Sequence, residues 1–160
     1  MKIIYTADLC DIFISDLQVA KPIGFRNFGM RTNFHGKIVT VKVFEENELI
    51  KEILSEDGNG KVLVIDGGGS DRRALMGDNM CRIAIKNGWR GVLVNGVIRD
   101  TWEIAKLNFG IQALGTNPYR SEKTKGGQKD IEVQFADIKF TPGHYVYCDD
   151  DGIVVSPKEY

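Results

Sequence analysis

Two short apolar runs, Lys61-Val62-Leu63-Val64-Ile65-Asp66 and Gly91-Val92-Leu93-Val94-Asn95, constrain the fold of this chain more than any other feature. Neither alternates apolar with polar residues, so each reads as a strand buried on both faces. Between them Met80, Ile83, Ala84 and Asn87 recur at helical spacing after Asp78, and Gly88 suits the left-handed position that ends a helix. Strand, helix and strand in this order return the chain to the same edge of one sheet. The expectation is an α/β domain with a covered central sheet.

The rest of the chain fits that class. Thr6 is placed to cap a helix whose apolar face, Leu9, Ile12, Phe13 and Leu17, is expected in the core. Lys37 to Phe44 is β-branched and predicts a strand, Glu46 to Leu54 a helix, and Ser55 to Gly60 a turn. Arg99 to Leu107 predicts a short helix and Gly110 to Thr116 a strand, while Tyr119 to Asp130 is polar and predicts an exposed loop. Ile131, Val133 and Phe135 alternate with polar residues as in a strand with one wet face, and Asp149-Asp150-Asp151-Gly152 predicts a turn between two final strands. The 160 residues contain no internal repeat, and one domain spanning 1–160 is expected.

Composition removes several function classes. With 21 basic and 22 acidic residues the formal net charge is −1, which offers no polycationic surface for direct nucleic-acid binding. Cys10, Cys81 and Cys148 form no C-x-x-C pair, which suits reduced thiols in a cytoplasmic protein. The opening residues meet Asp8 before building a secretory apolar stretch, and no apolar run reaches the roughly eighteen residues of a membrane span. Gly67-Gly68-Gly69-Ser70 is not a P-loop, because Gly69-Ser70-Asp71 lacks the Gly-Lys-Ser/Thr ending. Val62 to Gly69 superficially resembles the strand and glycine turn of S-adenosylmethionine-dependent methyltransferases, but this chain is short for their usual seven-stranded domain. His35 and His144 stand apart without metal-ligand spacing and read as ordinary hydrogen-bonded side chains. Trp89, Trp102 and Phe109 are assigned to the core or a subunit interface, and Arg72 and Arg73 to surface charge or a neighbouring subunit's site.

One constellation carries chemistry. Gly77-Asp78-Asn79-Met80 precedes the central helix, and Arg99-Asp100 follows the next strand, so the topology brings both to one sheet edge. Amides at a helix N-terminus can hold a carboxylate, and Arg99 can clamp the same anion bidentately. Asp100 is a hard oxygen donor suited to Mg²⁺ or Mn²⁺, ions that often use only one or two protein carboxylates. Glu103, three residues on, is placed to share a helical face with Asp100 and orient a metal-associated water. Taken by spacing alone, an Asp/Arg pair is more often a surface salt bridge or cap than a catalytic pair.

The segments Lys37-Ile38-Val39-Thr40-Val41-Lys42-Val43-Phe44-Glu45, Val62 to Ser70, Gly110-Ile111-Gln112-Ala113 and Asp151-Gly152-Ile153-Val154 resemble the family that joins regulator of ribonuclease activity A to the 4-hydroxy-4-methyl-2-oxoglutarate aldolases. The similarity covers nearly the whole chain. It implies a compact α/β domain of the swivelling β/β/α type, assembled as a homotrimer. The family's aldolases are marked by Asp, twenty intervening residues and Arg-Asp, which this chain matches with Asp78, Arg99 and Asp100. By that resemblance Gly77, Asp78, Asn79 and Met80 line the site for a substrate carboxylate, Arg99 contacts the 2-oxo acid, Asp100 binds a divalent cation (Mg²⁺ or Mn²⁺), and Glu103 fits a further acidic position. The implied reaction is metal-dependent retro-aldol cleavage to pyruvate, with oxaloacetate decarboxylation related to it and Asp78 or a metal-associated water as base. The other implied role is that of a protein regulator that binds ribonuclease E and inhibits RNA processing without catalysis.

Overall fold

The computed structural model describes all 160 residues. In chain order the elements are α1 (Thr6–Phe13), β1 (Gln18–Val19), β2 (Arg26–Asn27), β3 (Phe34–Lys42), α2 (Glu48–Leu54), β4 (Lys61–Asp66), β5 (Ala74–Met76) and α3 (Asp78–Lys86). There follow β6 (Gly91–Ile98), α4 (Thr101–Ile104), β7 (Gly110–Thr116), β8 (Gln128–Lys129), β9 (Val133–Phe135), β10 (Ile138–Phe140), β11 (Tyr145–Cys148) and β12 (Ile153–Ser156). The main sheet runs in the order β1-β12-β11-β3-β4-β6-β7-β2, with β5 on β6 and β8 on β3 at its margins. Strands β3, β4, β6 and β7 are mutually parallel, and β11, β12, β1 and β2 add antiparallel flanks.

The period of two along each strand divides the core into two layers. Leu63 and Ile65 of β4, with Val92 and Val94 of β6, face α2 and α3, where they meet Ile50, Ile53, Leu54, Cys81 and Ala84. Val62 and Val64, with Leu93, point the other way and pack against the β9–β10 hairpin through Val133, Phe135, Ile138 and Phe140. Helices, sheet and hairpin therefore stack in the α, β, β order that the resemblance implies, as one mixed α/β domain. No helix is long and apolar enough to cross a membrane.

Several expectations are corrected. Thr6 does not cap α1: Tyr5 holds that position, while the Thr6 N–H and hydroxyl each donate to the Asp149 carboxylate at 2.7 Å. The α1 face is not core either, since Leu9 is buried but Ile12 is 69% exposed. The strand expected over 37–44 runs Phe34–Lys42, and the helix foreseen over 99–107 is the single turn Thr101–Ile104. Within the polar 119–130 loop, Ser121 is buried and donates to the Ala74 carbonyl at 2.8 Å, and Gln128–Lys129 forms β8. Of the three aromatics assigned to core or interface, Trp89 and Phe109 are core, while Trp102 is 69% exposed on this chain with Lys106 over its ring, which leaves the interface option for it open.

Phe34, wholly buried, lies against the backbone of both Gly91 and Gly110, which face each other across β6 and β7. A Cβ at either glycine would enter the phenyl ring. Gly110→Ala is expected to lower unfolding free energy by about 2 kcal/mol, the usual scale of overpacking in a full core. Urea denaturation that places the variant within a few tenths of a kcal/mol of wild type would show the Phe34 ring free to move aside.

Candidate active site

The three residues of β5 set the geometry. Ala74 and Met76 pair with Val97 and Ile98 at the far end of β6, and the Arg99 N–H donates to the Met76 carbonyl at 2.9 Å. Gly77 and the first turn of α3 are thereby laid beside Arg99 and Asp100. The structure brings Gly77, Asn79, Met80, Arg99 and Asp100 together around one cleft of about 240 Å³. Asp100 sits at φ +60, a left-handed conformation that is uncommon for a side chain other than glycine, and opens α4 there. Its Oδ2 lies over Gly77, where any Cβ would collide with it, and accepts the Asp78 N–H at 3.3 Å. A carboxylate thus already occupies one of the amides that the start of α3 offers to an anion.

Asp78 behaves differently from the prediction. Its carboxylate is gripped by Arg82, one helical turn on, and it is not among the residues that line the cleft. Burial pushes the Asp78 carboxyl up, but the hydrogen bond from Arg82 and the charge of its guanidinium outweigh it and leave the group below its ordinary value. Glu103 does not reach toward Asp100 either. Its carboxylate accepts from Arg82 Nη2 at 3.0 Å and from Lys106 Nζ at 3.3 Å. Arg99 lines the cleft while Nη1 donates to the Pro118 carbonyl at 3.4 Å.

Sequence reasoning missed the opposite wall. Lys51 of α2 and Arg120 and Lys123 of the long loop line the same cleft, with Asn47 and Glu48 beside them. Four cations, Lys51, Arg99, Arg120 and Lys123, face two acids, Glu48 and Asp100, so the cleft favours an anion. The lysine-rich composition of residues 119–130 was the available signal, but nothing in sequence aims that loop at Asp100.

Asp100 fits a hard, largely hydrated divalent cation. No group of three or more His, Cys, Asp or Glu side chains is gathered to hold a metal ion. A closed cage of the zinc type does not fit this donor set, whereas one carboxylate with room for water suits Mg²⁺. Other candidate chemistry is not assembled. Burial pushes the Cys81 thiol up to about 12 and raises Cys148 further, so neither is a nucleophile near neutral pH. The glycine turn after β4 spends its amides internally, Gly67 and Gly69 on the Asn95 carbonyl and Gly68 on the Asp66 carboxylate. Arg72 and Arg73 pair with Glu45 and Glu122 within this chain. A larger cavity of about 520 Å³ lies between α1 and the 149–152 turn, but Asp149 there is fully engaged by Thr6, Asp151 and Gly152.

The two histidines are not the satisfied side chains that were expected: Nδ1 of each is buried without a partner. His35 stacks on Tyr147 with ring centroids 5.3 Å apart, far from Asp100 in the fold.

The fold is thus an α/β domain whose cation-lined cleft meets one hard carboxylate, Asp100, at the end of β6. The RraA-like family (aldolase/RraA) matches residues 6–155, and the chain belongs to that family. A relative from Alkalilimnicola ehrlichii is 50% identical over 94% of this chain and 93% of its own length, and one from Pseudomonas aeruginosa is 50% identical over 96% and 94%. Both carry 4-hydroxy-4-methyl-2-oxoglutarate aldolase as a provisional name. The RNA-processing inhibitor RraA from Thermus thermophilis superposes with TM-score 0.94 at 38% identity, covering 100% of this chain and 96% of that one. A Geobacillus kaustophilus structure described as an S-adenosylmethionine:2-dimethylmenaquinone methyltransferase superposes with TM-score 0.95 at 44% identity, covering 98% and 96%.

Burial, and then the charge of Arg90, lower the pKa of His35 below 6.5. A His with a depressed folded pKa is neutral in the fold while the unfolded chain still takes up a proton, so stability present above about pH 6.5 erodes as pH falls. Urea midpoints measured from pH 7.5 to 5 should fall less steeply for His35→Gln than for wild type. Parallel curves would mean that His35 titrates normally in the folded protein.

Proposed function

We propose that this protein is a divalent-metal-dependent pyruvate aldolase acting on 4-hydroxy-4-methyl-2-oxoglutarate, with oxaloacetate decarboxylase activity at the same site. The observation that carries the reading is the meeting of Arg99, Asp100 and the first turn of α3 across the Met76–Ile98 pairing, in a cleft with excess positive charge. Both substrates are dianionic 2-oxo acids, and both reactions leave a pyruvate enolate. The α3 amides at Asn79 and Met80 take one carboxylate, and Arg99 stabilises the oxygen on which enolate charge develops. Lys51, Arg120 and Lys123 attract the second carboxylate. Asp100 holds the Mg²⁺ or Mn²⁺, which when bound supplies Lewis acidity toward that enolate.

Asp78 contributes through its place at the head of α3 rather than as a base, because its carboxylate is turned to Arg82 and does not line the cleft. No lysine is needed for covalent catalysis in this scheme. A homotrimer accords with the apolar side chains left on the surface, among them Tyr5, Ile12, Ile14 and Trp102. The methyltransferase activity named for one structural neighbour gains no support from the glycine turn, whose amides are already bonded. A second reading, binding and inhibition of ribonuclease E, is favoured by the 38% identity to the Thermus inhibitor over this entire chain.

Pyruvate formation from oxaloacetate and from 4-hydroxy-4-methyl-2-oxoglutarate should require added Mg²⁺, vanish with chelator, and fall by about 10³-fold or more in Asp100→Ala, the scale of removing a main electrostatic contributor. Arg99→Ala should cost about 10²-fold in kcat. Wild-type turnover no faster than Mg²⁺ alone would sink the aldolase reading and leave the regulator in its place.

A further inference from the structure

We infer that Arg82 is a positioning residue for this site, a two-ended strut that ties α3 to α4 and keeps Asp78 and Glu103 away from the cation and the substrate. The inference rests on the aldolase reading and deepens it. Arg82 stands one turn after Asp78, so both share a face of α3, and its two terminal nitrogens divide between two carboxylates: Nη1 to Asp78 and Nη2 to Glu103 Oε2 at 3.0 Å.

Two physical needs meet in this contact. The first is mechanical. Helix α4 is one turn long and opens at Asp100 in a left-handed conformation, so the segment cannot hold itself in place. The Arg82–Glu103 bond ties α3 to the body of that turn, alongside the Asp100 carboxylate on the Asp78 N–H at its head, and Lys106 supports the Glu103 carboxylate from just beyond α4. The second is electrostatic. Asp78, Asp100 and Glu103 all lie at the junction of α3 and α4, and a doubly anionic substrate would have to enter beside them. Arg82 neutralises the two that do not line the cleft and leaves Asp100 as the one carboxylate that lines it from that side. Lysine cannot do the same, since a single ammonium lacks the planar fork that reaches two carboxylates in fixed geometry.

An ordinary exposed ion pair would contribute little and leave ligand binding untouched. The strut predicts a split. Arg82→Ala should keep its melting temperature and bind Mn²⁺ at least as tightly as wild type, because Asp78 and Glu103 are released as competing ligands. The Mn²⁺-loaded variant should bind oxalate, a planar stand-in for the pyruvate enolate, about tenfold more weakly, and KM for oxaloacetate should rise by a similar factor with kcat changed far less. That factor is the size of one charge-assisted hydrogen bond. Arg82→Lys should recover less than half of the lost affinity on a logarithmic scale.

Calorimetric titration of Mn²⁺, then of oxalate into the Mn²⁺-loaded protein, reads the claim independently of turnover. Oxalate affinity and KM within twofold of wild type in Arg82→Ala would overturn the proposal, and so would full recovery in Arg82→Lys or loss of Mn²⁺ binding along with oxalate. If the alanine variant does not fold, Arg82→Gln carries the same test. Absence of turnover in wild type would defeat the aldolase reading, while the binding titrations would still decide the role of Arg82.

Discussion

The site depends on a pairing only two residues deep. Met76 lies opposite Ile98, and the Arg99 amide completes the contact on the Met76 carbonyl. Without it, the chain leaving β4 through the glycine turn would have no reason to begin α3 beside the end of β6. With it, the positive end of a nine-residue helix and the Arg99-Asp100 pair face the same space. Gly77 is the residue that makes the approach close, because Asp100 stands where its side chain would be. The same carboxylate that would hold a cation also rests on the Asp78 amide, so the left-handed Asp100 backbone is maintained by contacts at both ends of the site.

Much of the fold is legible in the sequence because burial on both faces leaves an unmistakable pattern. The apolar run Lys61–Asp66 has the observed limits of β4, and Gly110–Thr116 those of β7. The Asp78 helix ends near Gly88 for the backbone reason expected, φ +82 at that glycine. Elements stabilised by tertiary contact are illegible. Ala74–Met76 is too short for any periodicity to mark it, and Thr6 resembles a cap although it serves the buried Asp149 some 140 residues away.

At the site, sequence spacing brings Asp78 and Arg99-Asp100 to one edge but not the directions of their side chains. Asp78 and Glu103 both turn to Arg82, a residue that looks like ordinary helix-surface charge. Lys51, Arg120 and Lys123 come from two segments far apart in sequence, and only the packing of the long loop over α2 and β5 assembles them. The family shares one scaffold among proteins named as aldolases, an RNA-processing inhibitor and a methyltransferase, so function has to be argued from those side chains.

We propose that Asp100 and the head of α3 form one binding site for a cation and a 2-oxo acid. A crystal structure of the protein grown with Mn²⁺ and oxalate tests it most directly, through the anomalous signal of the metal. Mn²⁺ is expected on the Asp100 carboxylate, with oxalate reaching Arg99 and the Asn79 and Met80 amides. Mn²⁺ held instead at the Asp149–Asp151 turn, with oxalate absent from the α3 cleft, would contradict it.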